Sequence, residues 1–259
     1  MPRLSGSELS GSERVKSLRA KTRDPREYGP LSKLFNALGH PYAAGRRPLR
    51  HLGAGLLALA TGFAQAHAQA QPVTILALGD SLTAGYGVAP EDAYPAKLEA
   101  ALKAKGYDVR IINSGVSGDT SAGGLARLDW ALADHPDYAL VELGANDALR
   151  GVEPADTRAN LDRILTGLDQ AKVKVLLMGM LAPNNWGVDY ARSFEKIYPD
   201  LATQHHVALY PFFLDGVALD PKLNQQDMLH PTAAGVDVLV ARTLPAVEQL
   251  LGLPGTAPS

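Results

Sequence analysis

A serine in Gly79-Asp80-Ser81 and a histidine in Asp227-Met228-Leu229-His230 are the residues whose type and setting could do covalent chemistry in this chain. A serine hydroxyl is a poor nucleophile at neutral pH. It needs an adjacent base, a group that orients the base, and N–H donors aimed at the oxygen that gains charge. Ser81 closes an apolar run in a Gly-rich turn that can expose its hydroxyl. His230 precedes Pro231, which pushes it toward extended backbone just before a helical stretch. Asp227 shares its short loop, close enough for the carboxylate to bond the imidazole and set its tautomer. The chemistry this implies is nucleophilic attack by Ser81, with His230 as base and Asp227 orienting it.

Each residue also has a purely structural explanation. Ser81 suits a helix N-cap or a turn, Asp227 a turn cap, and His230 a surface position before a helix. Asn146 suits an Asx turn and Gly118 a backbone at positive φ. Asp-x-x-His can also ligate a metal, but no further histidine or carboxylate falls nearby at metal-site spacing. The other histidines are weaker bases. His205 and His206 end a helical stretch, where a cation suits the dipole, His135 precedes Pro136 in a turn, and His40, His51 and His67 lie in or beside the N-terminal segment.

Elements far apart in sequence must bring Ser81 and His230 together. From about Pro72 the chain alternates short β-branched runs with helical stretches, the pattern of a parallel sheet between helices. Strands are predicted over 73–78, 109–112, 138–143, 173–180 and 207–210, and helices over 93–105, 121–134, 154–170, 190–204 and 232–251. Such a sheet places ligands outside the C-terminal ends of its strands. There the first three strands each run into a small, polar cluster: Gly79-Asp80-Ser81, residues 113–121, and Gly144-Ala145-Asn146-Asp147. Independent turn residues have no reason to take this spacing together with a late Asp-His loop. The joint pattern points to one reactive edge.

The N-terminal quarter reads differently. Residues 1–45 are polar, with no sustained apolar period, and are expected to be disordered or a leader that begins too early. Within 46–68, Arg46, Arg47 and Arg50 precede a short apolar run and then small-x-small sites, the order of a secretory signal peptide. The run is shorter than the roughly 20 residues of a membrane span, so no stable anchor is expected after cleavage. The expected location is periplasmic or secreted, with 69–259 as a single domain. Beyond residue 68 the chain holds 14 Lys+Arg against 23 Asp+Glu. That acidity disfavours nucleic acid and anionic membranes as partners. No cysteine is present, which excludes disulfides, thiol nucleophiles and thiolate metal sites.

The stretches GDSLTAGYG, SGDTSAGGLARL, VELGANDALRG and DMLHP resemble, in order, the blocks of the SGNH (GDSL-type) hydrolases, including bacterial thioesterase, lysophospholipase and arylesterase members. The resemblance spans roughly 73–250 and implies an α/β fold: a flavodoxin-like three-layer α/β/α sandwich with a five-stranded parallel sheet. It implies Ser81 as nucleophile, and Asp227 and His230 as the rest of a triad. The implied oxyanion hole consists of the Ser81 and Gly118 N–H groups and the Asn146 side chain. Asp80 would support the turn, and no cofactor is implied. The activity implied is that of a serine esterase on small acyl or aryl esters, extending to thioesters and lysophospholipids. Two rivals share the strand-end rim: a carbohydrate O-acetyl esterase, and a non-catalytic periplasmic small-ligand binding protein, which would need no base beside Ser81. The chain has neither the Gly-x-Ser-x-Gly of α/β-hydrolases nor a phosphate-binding Gly-x-x-x-x-Gly-Lys loop after its first strand. It departs from the thioesterases in LAPNNWGVDYARSF, where Trp186 and Tyr190 are expected to wall the substrate site, as is the loop 148–152.

Overall fold

A computed structural model describes residues 72–253, so the expectations for the leader and signal segments lie outside the described residues. The strands are β1 (Val73–Gly79), β2 (Val109–Gly115), β3 (Tyr138–Glu142), β4 (Lys174–Met178) and β5 (Ala208–Tyr210). They form one parallel sheet in the order β2-β1-β3-β4-β5. β1, β3 and β4 are interior strands covered on both faces, which is why they read as continuous apolar runs rather than alternating ones. Ile75, Leu76, Leu78, Val141 and Leu177 have no exposed surface.

Between and after the strands run α1 (Ser81–Ala84), α2 (Tyr94–Ala104), α3 (Ser121–Ala126), α4 (Leu128–Ala131), α5 (Ala145–Arg150), α6 (Pro154–Gln170), α7 (Val188–Glu195), α8 (Ile197–His205) and α9 (Ala233–Leu250). α2 packs against α9, while α3 and α8 both pack against α6. The division follows from handedness. β2 lies on one side of β1 and β3 on the other, so right-handed crossovers send α2 to one face and the later crossover helices to the opposite one. The result is the three-layer arrangement expected. Among the described residues no helix is long and apolar enough to cross a membrane.

The helix predicted over 121–134 breaks at Arg127 (φ −110°, ψ 8°), whose side chain binds carbonyls at the C-terminal ends of β1 and β2. The one predicted over 190–204 breaks at Lys196, between α7 and α8. Pro199 explains the second break: its ring has no N–H and clashes with the carbonyl of Glu195. α1 and α5 stand where only turns were expected. The strand order reverses between β1 and β3, the place where sheets of this class open a crevice at their carboxyl ends. Ser81 leaves β1 there, and Asn146 follows β3.

Candidate active site

The turn that carries Ser81 is tightly determined. Gly79 ends β1, and a Cβ on it would collide with Thr83 Oγ1 and the Glu142 carboxylate. Asp80 then N-caps α1, its Oδ1 accepting the Leu82 N–H at 3.0 Å. Ser81 is thereby the first residue of a short helix, 9% exposed, and its N–H has no acceptor among the described residues.

The loop that carries His230 is built from backbone geometry and one glutamine. Met228 takes a positive φ of 59°, which turns the chain so that Asp227 Oδ1 accepts both the Leu229 and the His230 N–H at 2.9 and 3.0 Å. Asp227 Oδ2 lies 2.6 Å from His230 Nδ1, and His230 Nε2 lies 2.8 Å from Ser81 Oγ. The hydrogen bond to His230, then those from the Leu229 and His230 amides, hold the Asp227 carboxyl down at about 2. An ionised carboxylate only accepts, so Nδ1 carries the imidazole proton and Nε2 is left to accept from the Ser81 hydroxyl. Gln225 secures the loop, its Nε2 donating to the carbonyls of Tyr86 at 2.7 Å and Pro231 at 2.9 Å. The Tyr86 ring lies against His230 with centroids 4.5 Å apart.

Gly118 and Asn146 complete the rim. Gly118 sits at φ 84° in a turn closed by the Asp119 N–H and the Val116 carbonyl at 3.0 Å. Positive φ there, and not at Ser117, is the signature of a type II turn, which requires a residue able to enter that region at its third position. Its N–H has no acceptor among the described residues. Asn146 Nδ2 donates to Asp80 Oδ2 at 3.0 Å, leaving its second N–H free. A carboxylate cannot donate, so Asp80 fixes which way the amide faces.

Beneath this rim is a pair of buried carboxyls. Glu142 Oε2 accepts the Thr83 hydroxyl at 2.7 Å and the Asp80 N–H at 3.3 Å, while its Oε1 has no hydrogen-bond partner among the described residues. Burial, and next the Asp80 charge, push Glu142 well above the usual carboxylate range. Burial also raises Asp80 to about 6, against the lowering effect of the Leu82 N–H and Asn146.

Ser81, Gly118, Asn146 and His230 line one cavity of about 640 Å³. Beyond the polar edge its wall is apolar, with Leu149, Leu181, Pro183, Leu214, Leu219 and Leu229, and among the described residues no Lys or Arg lines it. The expectation for Trp186 and Tyr190 is corrected. Trp186 Nε1 donates to the Ala148 carbonyl at 2.9 Å and the Tyr190 hydroxyl to that of Val152 at 2.8 Å. They brace the loop 148–152 from outside, and the same two segments wall the cavity instead through Leu149, Leu181, Ala182 and Pro183. His205 is engaged elsewhere, 2.6 Å from Asp162. Sequence reasoning missed Gln225, Tyr86 and Glu142. Only Glu142 carried a signal, as a lone carboxylate inside an apolar strand.

The chain is similar to known esterases. The chain is 40% identical over 198 residues to Esterase TesA of Pseudomonas aeruginosa, covering 76% of this chain and 96% of that protein. It is 42% identical over 177 residues to an arylesterase of Vibrio mimicus, covering 68% and 88%. Among solved structures, AlinE4, described as an SGNH-hydrolase family esterase, matches with 51% identity and a TM-score of 0.60, covering 72% of this chain and 99% of that one. The GDSL-like lipase/acylhydrolase family matches residues 77–238, which include the Ser81, Gly118, Asn146 and His230 loops, and the chain belongs to that family.

Proposed function

We propose that this esterase cleaves uncharged carboxylic esters through an acyl-enzyme on Ser81. His230 Nε2 takes the Ser81 proton as Oγ bonds to the ester carbonyl carbon, and returns it to the departing alcohol or phenol. Water, deprotonated by the same nitrogen, then attacks the acyl group, releasing the acid and restoring the hydroxyl. Asp227 keeps the imidazole in its productive tautomer. The N–H groups of Ser81 and Gly118 and the amide of Asn146 hold the oxyanion. The observation that carries this reading is the unbroken line of 2.6 and 2.8 Å contacts from Asp227 through His230 to Ser81 at the floor of an apolar cavity. A binding protein would have no use for that alignment.

The wall supports the substrate class. With no cation lining it among the described residues, the cavity offers nothing to an anionic phosphate carrier. With apolar side chains, chiefly leucines, forming most of the wall beyond the oxyanion edge and only Tyr86 and Asn224 adding a hydroxyl and an amide there among the described residues, it suits an acyl chain or aryl ring better than an acetylated sugar. The name of the Vibrio mimicus relative, an arylesterase, points the same way. The order of charges, apolar run and small residues in 46–68 supports export, with 69–259 acting as one domain in the periplasm or outside the cell. Ser81→Ala is expected to abolish hydrolysis of p-nitrophenyl butyrate, and an organophosphonate to label wild-type Ser81 stoichiometrically. Wild-type turnover by Ser81→Ala would refute the mechanism. Faster cleavage of acetylated sugars than of p-nitrophenyl esters would refute the substrate class. Mass spectrometry of exported protein that retains residues 46–68 would refute the leader.

A further inference from the structure

The three oxyanion donors proposed above stand on three separate loops, so their spacing depends on what ties the loops together. Three ties join the Asn146 stretch to its neighbours, one of them from Arg150 to the Gly118 carbonyl. Asp80 accepts from Asn146, and the buried Asp147 carboxylate accepts the Ser121 N–H at 2.8 Å, the Ser121 hydroxyl, and Thr157 at 3.2 Å. The pair that matters most, the Ser81 loop and the Gly118 turn, is joined by one backbone bond, from the Val116 N–H to the Gly79 carbonyl at 3.1 Å, and by a side chain that the mechanism does not use.

That side chain is Arg127. Its Nη2 donates to the Gly79 carbonyl at 2.9 Å, its Nη1 to the carbonyl and hydroxyl of Ser114 at 2.8 Å each, and its Nε to Asp119 Oδ2 at 2.6 Å. The Gly79 carbonyl belongs to the Gly79–Asp80 peptide, one before the peptide that carries the Ser81 N–H, and the N–H of that unit, on Asp80, is held by Glu142. Asp119 follows Gly118 and closes its turn. One planar guanidinium therefore binds the peptide that aims the Ser81 N–H and the residue that anchors the Gly118 N–H. The ion pair is sheltered, with Arg127 and Asp119 side chains each 17% exposed, and the helical path breaks at Arg127 to place it there.

We propose that Arg127 is a positioning residue that, beside the Val116 backbone bond, sets the separation of the Ser81 and Gly118 oxyanion donors by clamping Gly79 to Asp119. The proposal rests on the oxyanion assignment made above. A type II turn can flip its central peptide to type I with little other motion, which would replace the Gly118 N–H by the Ser117 carbonyl. The Asp119 end of the clamp opposes that flip. Arg150, which donates to the Gly118 carbonyl at 2.8 Å from the solvent side, opposes it more weakly. Lysine cannot replace the fork, because one ammonium cannot face Gly79, Ser114 and Asp119 along fixed directions.

The test uses Arg127→Lys and, because the first variant also removes buried packing, Asp119→Ala, which leaves the bonds to Gly79 and Ser114 in place. Both are assayed with p-nitrophenyl butyrate, with butaneboronic acid as a tetrahedral mimic, and with butyrate as a planar ligand. Misplacing a donor acts on the transition state alone, so kcat is expected to fall about 10–100-fold while KM stays within about threefold. Boronate affinity should weaken in step with kcat, and butyrate affinity should not. A purely structural role would lower the melting temperature and leave these ratios alone. Wild-type kcat and boronate affinity in both folded variants would overturn the proposal. If Arg127→Lys does not fold, the same result in Asp119→Ala does so alone. Should Ser81→Ala also remain active, the mechanism fails. A dead Ser81→Ala beside fully active clamp variants sinks only the clamp.

Discussion

Replacing Asp80 by asparagine should raise stability and lower turnover in the same protein. The wild-type carboxyl, fully buried, is moved from 3.8 to about 6 by desolvation, so its ionised form withholds about 3 kcal/mol from the fold. The sign is that of a raised acid. Stability is fully present below about pH 4 and is lost as pH rises through about 6. The substituted amide has nothing to ionise and avoids that loss, at the expense of one hydrogen bond of about 1 kcal/mol. The net gain of about 2 kcal/mol at pH 8 corresponds to roughly 5 °C in Tm, with no gain at pH 4.

Turnover moves the other way. Asp80 accepts from both the Leu82 N–H and Asn146 Nδ2. An asparagine has one acceptor and one donor end. If its oxygen keeps the cap, its NH₂ faces that of Asn146, which turns over and presents a carbonyl to the oxyanion. If it gives up the cap, the Asn146 amide keeps its orientation for about 1–2 kcal/mol. The cheaper route prevails in the transition state, so kcat should fall about tenfold, less than the roughly 10²–10³ expected for losing the donor in Asn146→Ala. Steady-state hydrolysis of p-nitrophenyl butyrate at pH 8 and thermal melts at pH 4 and 8 measure both effects. Full kcat, or a lower Tm at pH 8, would refute the reasoning.

Gly118→Ala meets only Arg150 Nη2 at 3.6 Å, so space is available, but φ 84° costs an L-residue about 1–2 kcal/mol that the flipped turn relieves. Its kcat should drop by about 10² with KM little changed, read from the same assay. Gln225→Ala loses two bonds that hold the His230 loop to Tyr86 and Pro231, and phosphonylation of Ser81 should slow about tenfold. Glu142→Gln imitates the protonated acid that burial favours, so it should keep kcat. The fall in Tm from pH 5 to 8, present in the wild type because a raised carboxyl must ionise, should be smaller in this variant.

The sheet class is legible in the residue pattern, because interior parallel strands must be apolar on both faces and helices between them must be amphipathic. The pattern also marked Ser81, Gly118, Asn146, Asp227 and His230 as residues of one edge, since three strand ends and a late loop carried small polar groups in register. Tertiary structure decided what depends on contacts across long separations. Ser81 and His230 are 149 residues apart, and the order β2-β1-β3-β4-β5 together with the Gln225 link to Tyr86 sets their 2.8 Å contact. The break at Arg127, the outward placing of Trp186, and the choice of Leu149 and Leu181 for the cavity wall arise from side chains that satisfy buried carbonyls or fill space beside distant loops. Local spacing encodes periodicity. Which buried polar atom finds which partner is fixed only when the layers close.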